Sequence, residues 1–139
     1  MRKGTRAAAM GAVAALAMGC GSAGHTRAQP APGVTAFTGG AFDQIPLFPR
    51  SEPLGARNNT TTVSQQSFQA TGAGAEQVVD WYRDHLDGWT VIEAPHGTGS
   101  TDFAGEWEAG DRRLRVTAGP APTLGSRSTI QFSLLVRPR

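Results

Sequence analysis

The sequence predicts an α+β fold: one helix packed on a mostly antiparallel sheet of about four to five strands, in two layers. Three observations predict it. Ala75, Val78, Val79, Tyr82 and Leu86 recur at helical spacing and cover an arc of about 100°. Ile130, Phe132, Leu134 and Val136 alternate with polar or outward positions, as a half-buried strand requires. Gly110-Asp111 stands between two alternating segments and reads as a two-residue hairpin turn with Gly first.

The elements follow in order. Phe42 to Pro49 is apolar but interrupted by Pro46 and Pro49, so it reads as an extended edge segment or a packed loop. Asn58-Asn59 suggests a turn, and Thr60 to Ala70, rich in Thr, Val and Ser, reads as a strand. Ala75 to Leu86 is the helix. Glu76 suits its N-terminal dipole, whereas Asp84 and Asp87 oppose the dipole at its end. Gly88 is the expected left-handed residue that stops it. Trp89 to Ala94 reads as a strand and Pro95 to Thr101 as a Gly-rich turn. Asp102 to Ala109 sets Phe103, Gly105 and Trp107 on one face. Arg112 to Ala118 sets Leu114, Val116 and Ala118 inward, with Arg113, Arg115 and Thr117 outward. Gly119 to Ser128 is a loop, and Thr129 to Val136 closes the chain.

The other end of the chain has a different character. Arg2, Lys3 and Arg6 precede an uncharged, Ala-rich run from Ala7 to Met18. That run is too short for a membrane-spanning helix and has the length of a signal-peptide core. Gly21 to Ala41 holds five Gly, five Ala and two Pro, with Phe37 as its one aromatic. Such composition reads as a flexible tether reaching about 25 Å root-mean-square. Nine of the ten aromatic residues lie in 42–139, which is where the core is expected. The expected organisation is therefore a signal segment over 1–19, Cys20 and a tether over 20–41, and a domain over 42–139.

Leu16-Ala17-Met18-Gly19-Cys20 resembles the lipobox of bacterial lipoproteins. The resemblance implies diacylglyceryl transfer to the Cys20 thiol and cleavage between Gly19 and Cys20. An ordinary signal peptide cut after Ala17, at Ala15-Leu16-Ala17, is the alternative. Cys20 is the sole cysteine, so no intramolecular disulfide can form, and lipidation would consume a thiol that is otherwise a liability in an oxidising compartment. A second likeness covers about residues 45 to 90. Ile45-Pro46-Leu47-Phe48-Pro49, Phe68-Gln69-Ala70-Thr71, Val78-Val79-Asp80-Trp81-Tyr82 and Gly88-Trp89 are similar to a pattern in small bacterial lipoproteins of uncharacterised role. Arg50 stands where that pattern usually has Gly. The likeness implies localisation and fold, and no catalytic residues.

The formal net charge of +2 is misleading. All eleven acidic residues follow Cys20, while Arg2, Lys3 and Arg6 precede it. A chain beginning at Cys20 carries ten basic residues and a formal charge of −1, which gives no reason to expect nucleic acid as a partner. Lys3 is the only lysine, so the chain after Cys20 has no Schiff-base or P-loop lysine, and no serine sits in a GxSxG elbow. His25, His85 and His96 lack metal-ligand spacing, and Asp84-His85-Leu86-Asp87 reads as a solvated helix end. His96-Gly97-Thr98-Gly99-Ser100 lies between strands and reads as a hairpin loop, because a phosphate cradle needs a following helix. Arg112, Arg113, Arg115, Arg137 and Arg139 cluster if the last strands pair, with Glu106 and Glu108 as cross-strand partners on a solvated face. Trp81 and His85 fall at one border of the helix stripe, where Trp81 beside Trp107 or Trp89 could line a groove.

These readings point to a non-catalytic lipoprotein of the cell envelope. It is expected to be held to a membrane through Cys20 and to bind a protein or cell-wall partner through its domain. The second expectation is a binder of a small lipid or glycan in a helix–sheet groove. The candidate binding residues are Trp81, His85, Trp107, Arg113 and Arg115, with Cys20 for lipidation. No catalytic residue, metal or cofactor is expected.

Overall fold

A computed structural model of the chain describes residues 33–121 and 129–139. The signal segment, Cys20, residues 21–32 of the tether and most of the expected 119–128 loop lie outside the described residues. Among the described residues there are six strands and one α-helix: β1 (Ser51–Asn59), β2 (Ser64–Thr71), α1 (Ala75–His85), β3 (Thr90–Gly97), β4 (Phe103–Ala109), β5 (Arg112–Pro120) and β6 (Thr129–Pro138). The strands form one sheet in the order β1-β2-β6-β5-β4-β3, with every neighbouring pair antiparallel. The α+β, one-helix architecture is as expected; the strand count rises from four or five to six.

The added strand is β1. Its sequence contains Pro53, Gly55 and Asn58-Asn59, so it shows no alternation. It needs none, because it is an edge strand that pairs only with β2. Its register breaks between Leu54 and Asn58, where Gly55 adopts φ +69°. The Gln66 side-chain amide, buried on β2, donates to the Gly55 carbonyl at 3.2 Å and ties down this bulge. The opposite edge, β3, carries Pro95 and is also irregular. A proline at each edge discourages pairing with another chain.

The helix stripe behaves as its spacing predicts. Val78, Val79 and Tyr82 are fully buried, and Leu86 nearly so. Gly74 has no side chain to cap the helix, but Gln77 Oε1 accepts from the Gly74 N–H at 2.7 Å. Gly88 takes φ +76° just after the helix, where any other residue would be strained. On the sheet, Leu114, Val116 and Ala118 of β5 lie in register beside Val136, Leu134 and Phe132 of β6. This is the surface that the second layer must cover.

An eleven-residue helix is about 16 Å long and covers only part of a six-stranded sheet about 24 Å wide. Apolar surface that the helix leaves open is covered by a strap formed by residues 35–49. The Phe37 N–H donates to Ile45 O at 3.0 Å and the Leu47 N–H to Thr35 O at 2.8 Å. Phe42, Ile45 and Pro46 are buried, and Phe37 packs on Phe42 and Phe68 with ring centroids 5.5 and 5.8 Å away. The Phe68 and Phe132 rings stack beneath, 5.1 Å apart. Arg112, at the start of β5, donates to the Ala41 and Asp43 carbonyls at 3.0 and 2.8 Å. Packing therefore begins at about Thr35, and residues 35–41, assigned by composition to the tether, belong to the domain. Their apolar content is small, but Phe37 alone supplies enough ring surface to be held.

Truncating the strap should be costly. Phe42→Ala is expected to lower stability by about 3–5 kcal/mol, read by urea denaturation, because the fully buried ring leaves a cavity.

Candidate functional site

Trp81 and His85 lie four residues apart at the end of α1, so their side chains share a face. Their rings stack 4.2 Å apart at 16°. His85 Nδ1–H donates to the Trp81 carbonyl at 2.8 Å, which fixes the ring's orientation and leaves Nε2 as its other polar atom. Facing them is the end of the strap. Phe48 meets Trp81 edge-on at 5.3 Å. Between helix end and strap end opens a cleft of about 310 Å³, lined by Thr35, Leu47, Phe48, Arg50, Trp81 and His85 among others.

Arg50 and, in the strap, Gln44 are non-glycine residues in the left-handed region, at φ +56° and +66°. That conformation costs a side-chain-bearing residue about 1–2 kcal/mol. The position suits glycine, yet the chain carries an arginine, exposed at the edge of the cleft. Beneath the cleft wall, the Tyr82 hydroxyl is fully buried against the Phe48 backbone, and burial pushes its pKa well above the ordinary 10.0.

Trp107 is not part of this cleft. It is only 1% exposed and lies in the core, with its ring over Gly105. A Cβ on Gly105 would stand 2.5 Å from the Trp107 ring, so the missing side chain makes room for the indole. The groove expected between helix and sheet is likewise filled, by Val78, Val79, Tyr82 and Leu86. Trp89 is half-buried beneath the Arg112 guanidinium, 5.4 Å from its ring centroid.

Arg113 and Arg115 lie on the opposite face of the sheet. There Glu106, 5% exposed, accepts from Arg137 at 2.6 Å and from Arg115 at 3.4 Å. Arg115 also pairs with Glu93 at 3.1 Å, and Glu108 lies 3.6 Å from both Arg113 and Arg139. Glu106 and Glu108 sit directly across from Arg115 and Arg113 in the β4–β5 register. The arginines are therefore neutralised across strands, and their face is a paired polar surface separate from the Trp81–His85 cleft. Arg112 parts from the group by tying down the strap.

His96 pairs with Glu93 at 3.4 Å, far along β3, and the segment from His96 to Ser100 joins antiparallel strands as a hairpin. Among the described residues no three His, Cys, Asp or Glu side chains come close enough to hold a metal ion. The cleft residues that sequence reasoning missed are Thr35, Phe48 and Arg50. For Arg50 the available signal was the arginine standing in a glycine's place.

No protein-family model matches the chain, and no curated protein or solved structure matches it significantly.

The buried phenol makes a pH prediction with a definite sign. In the folded chain Tyr82 keeps its proton above pH 10, where the unfolded chain releases it, so stability falls as pH rises beyond about 10. The steepest loss from this one group is about 1.4 kcal/mol per pH unit. Urea denaturation at pH 9 to 11 (about one unit either side of the ordinary phenol value) should show a smaller alkaline loss for Tyr82→Phe than for the wild type.

Proposed function

We propose that the chain is a non-catalytic envelope lipoprotein, a small α+β domain held at a membrane surface by lipidated Cys20. The observation that carries the reading is the Leu16–Cys20 lipobox, with Cys20 as the only cysteine. In this reading the Cys20 sulfur attacks the glyceryl carbon of a membrane glycerophospholipid: the C–S thioether to the diacylglyceryl group forms, the C–O bond to the headgroup phosphate breaks, and that phosphate leaves with the thiol proton. The Gly19–Cys20 bond is then hydrolysed. Two or more acyl chains hold a protein stably at a bilayer, whereas one holds it marginally. The anchor lies on the outer side of the cytoplasmic membrane or, in a cell with two membranes, on the outer membrane. The domain binds a protein or cell-wall partner.

The packing supports a domain that stands without cross-links. Its core joins strap, helix and sheet in one cluster from Phe42 to Val136. The reading of the domain as a small-ligand binder draws on a specific observation as well, the open cleft beside Trp81 and His85. With the helix–sheet groove filled, that cleft is where such a ligand would sit.

The intact mass of the purified membrane form tests the anchor. The expected mass lacks residues 1–19 and includes acyl chains, and Cys20→Ala shifts the protein out of the membrane fraction or leaves it uncleaved. A mass corresponding to cleavage after Ala17, with a free thiol, would overturn the reading.

A further inference from the structure

We propose that the cleft between the last turn of α1 and the Phe48–Ser51 corner binds an oxyanion carried on an apolar or ring-shaped body, with Arg50 as the anion's partner. The inference deepens the reading of the domain as a binding module and rests on it.

The lining has an unequal chemistry. Val34, Leu47, Phe48, Pro49 and Trp81 make an apolar wall, and no carboxylate among the described residues lines the cleft. The polar side chains are Thr35, Arg50, Ser51 and His85. The Ser51 hydroxyl is committed to the Phe48 carbonyl at 2.6 Å and His85 Nδ1 to the Trp81 carbonyl. The exposed Arg50 has no hydrogen-bond or ion-pair partner among the described residues. The site thus offers an uncommitted cation beside apolar surface. Its complement is an acceptor-rich anion with an apolar side. A guanidinium fork suits a phosphate or carboxylate in particular.

The backbone at Arg50 points the same way. A glycine would take φ +56° without strain, so what arginine adds at this position is its side chain. The cleft is also lined by Gly33, thirteen residues after Cys20, a stretch that spans at most about 45 Å. A lipid headgroup and a soluble sugar phosphate are both within reach of a domain so placed, and both carry the required chemistry.

The test uses the full chain with Cys20→Ala, so that no acyl chain contributes. The probe is phenyl phosphate, and the readout is the Trp81 indole N–H signal in NMR, identified with Trp81→Phe. A saturable shift is expected. Arg50→Gly should weaken binding by about tenfold or more while melting at the same temperature or higher, since it relieves the strained backbone. Benzyl alcohol, which lacks the anion, and inorganic phosphate, which lacks the ring, should each bind at least about tenfold more weakly. Competition by glucose 1-phosphate assigns a soluble source, and competition by phosphatidylglycerol but not phosphatidylcholine vesicles assigns a headgroup.

The proposal is overturned if phenyl phosphate gives no saturable shift, or if Arg50→Gly binds it as well as wild type does. Equal binding of benzyl alcohol or of inorganic phosphate overturns it too, as does failure of both competitors. A wrong anchor assignment leaves this assay unchanged and appears only in the intact mass.

Discussion

One constraint organises the molecule: its one described α-helix is too small for its sheet. The four inner strands, β2, β6, β5 and β4, present a continuous apolar face through Phe68, Phe132, Leu134, Val116, Leu114 and Trp107. Eleven helical residues cover part of it. Leaving the remainder wet would forfeit about 25 cal/mol for each square ångström of apolar surface. The strap of residues 35–49 answers this need, with Phe42 and Ile45 fully buried beside Phe37 and the stacked Phe68–Phe132 pair. Two covers meeting on one sheet leave a seam. The Trp81–His85 cleft opens at that seam, where the helix end faces Phe48 and Arg50. The candidate site is thus a consequence of how the core is closed.

The two faces of the sheet solve different problems. The covered face is apolar and in register across β4, β5 and β6. The other is polar, and its arginines would repel one another if left alone. Glu106 and Glu108 on β4 oppose Arg115 and Arg113 directly, and Arg137 on β6 reaches Glu106 across β5. Glu106 is buried beneath these guanidinium groups even though no described helix lies over it. Arg50 at the cleft is a cation outside this pairing. It has no ion-pair partner among the described residues and holds a backbone conformation that disfavours it.

What was legible in the sequence was what repeats locally. β6 alternates because one of its faces is fully buried, and α1 carries a stripe because one side meets the sheet. The Gly110-Asp111 turn was equally plain, with Gly110 at φ +60° between the paired Ala109 and Arg112. β1 was illegible because an exposed edge strand with a bulge needs no apolar period. The strap was only half legible: its prolines and aromatics marked a packed loop, but Phe37 sat in a run whose composition resembles a tether. From sequence Trp107 looks like a groove residue because its partner in packing is an absence, the missing side chain of Gly105. The cleft itself depends on two segments more than thirty residues apart, Phe48–Arg50 and Trp81–His85, and no local pattern places them together.

Hydrogen exchange of the strap amides tests the central claim most directly. The Phe37, Gln44 and Leu47 N–H groups donate to Ile45, Phe37 and Thr35 carbonyls at 2.8–3.0 Å. If the strap is the second cover of the sheet, these amides exchange only when the core opens, with protection close to that of the β5–β6 ladder. Exchange at the rate of an unstructured chain, while the β5–β6 amides stay protected, would show that the sheet keeps its fold without the strap and would contradict the account.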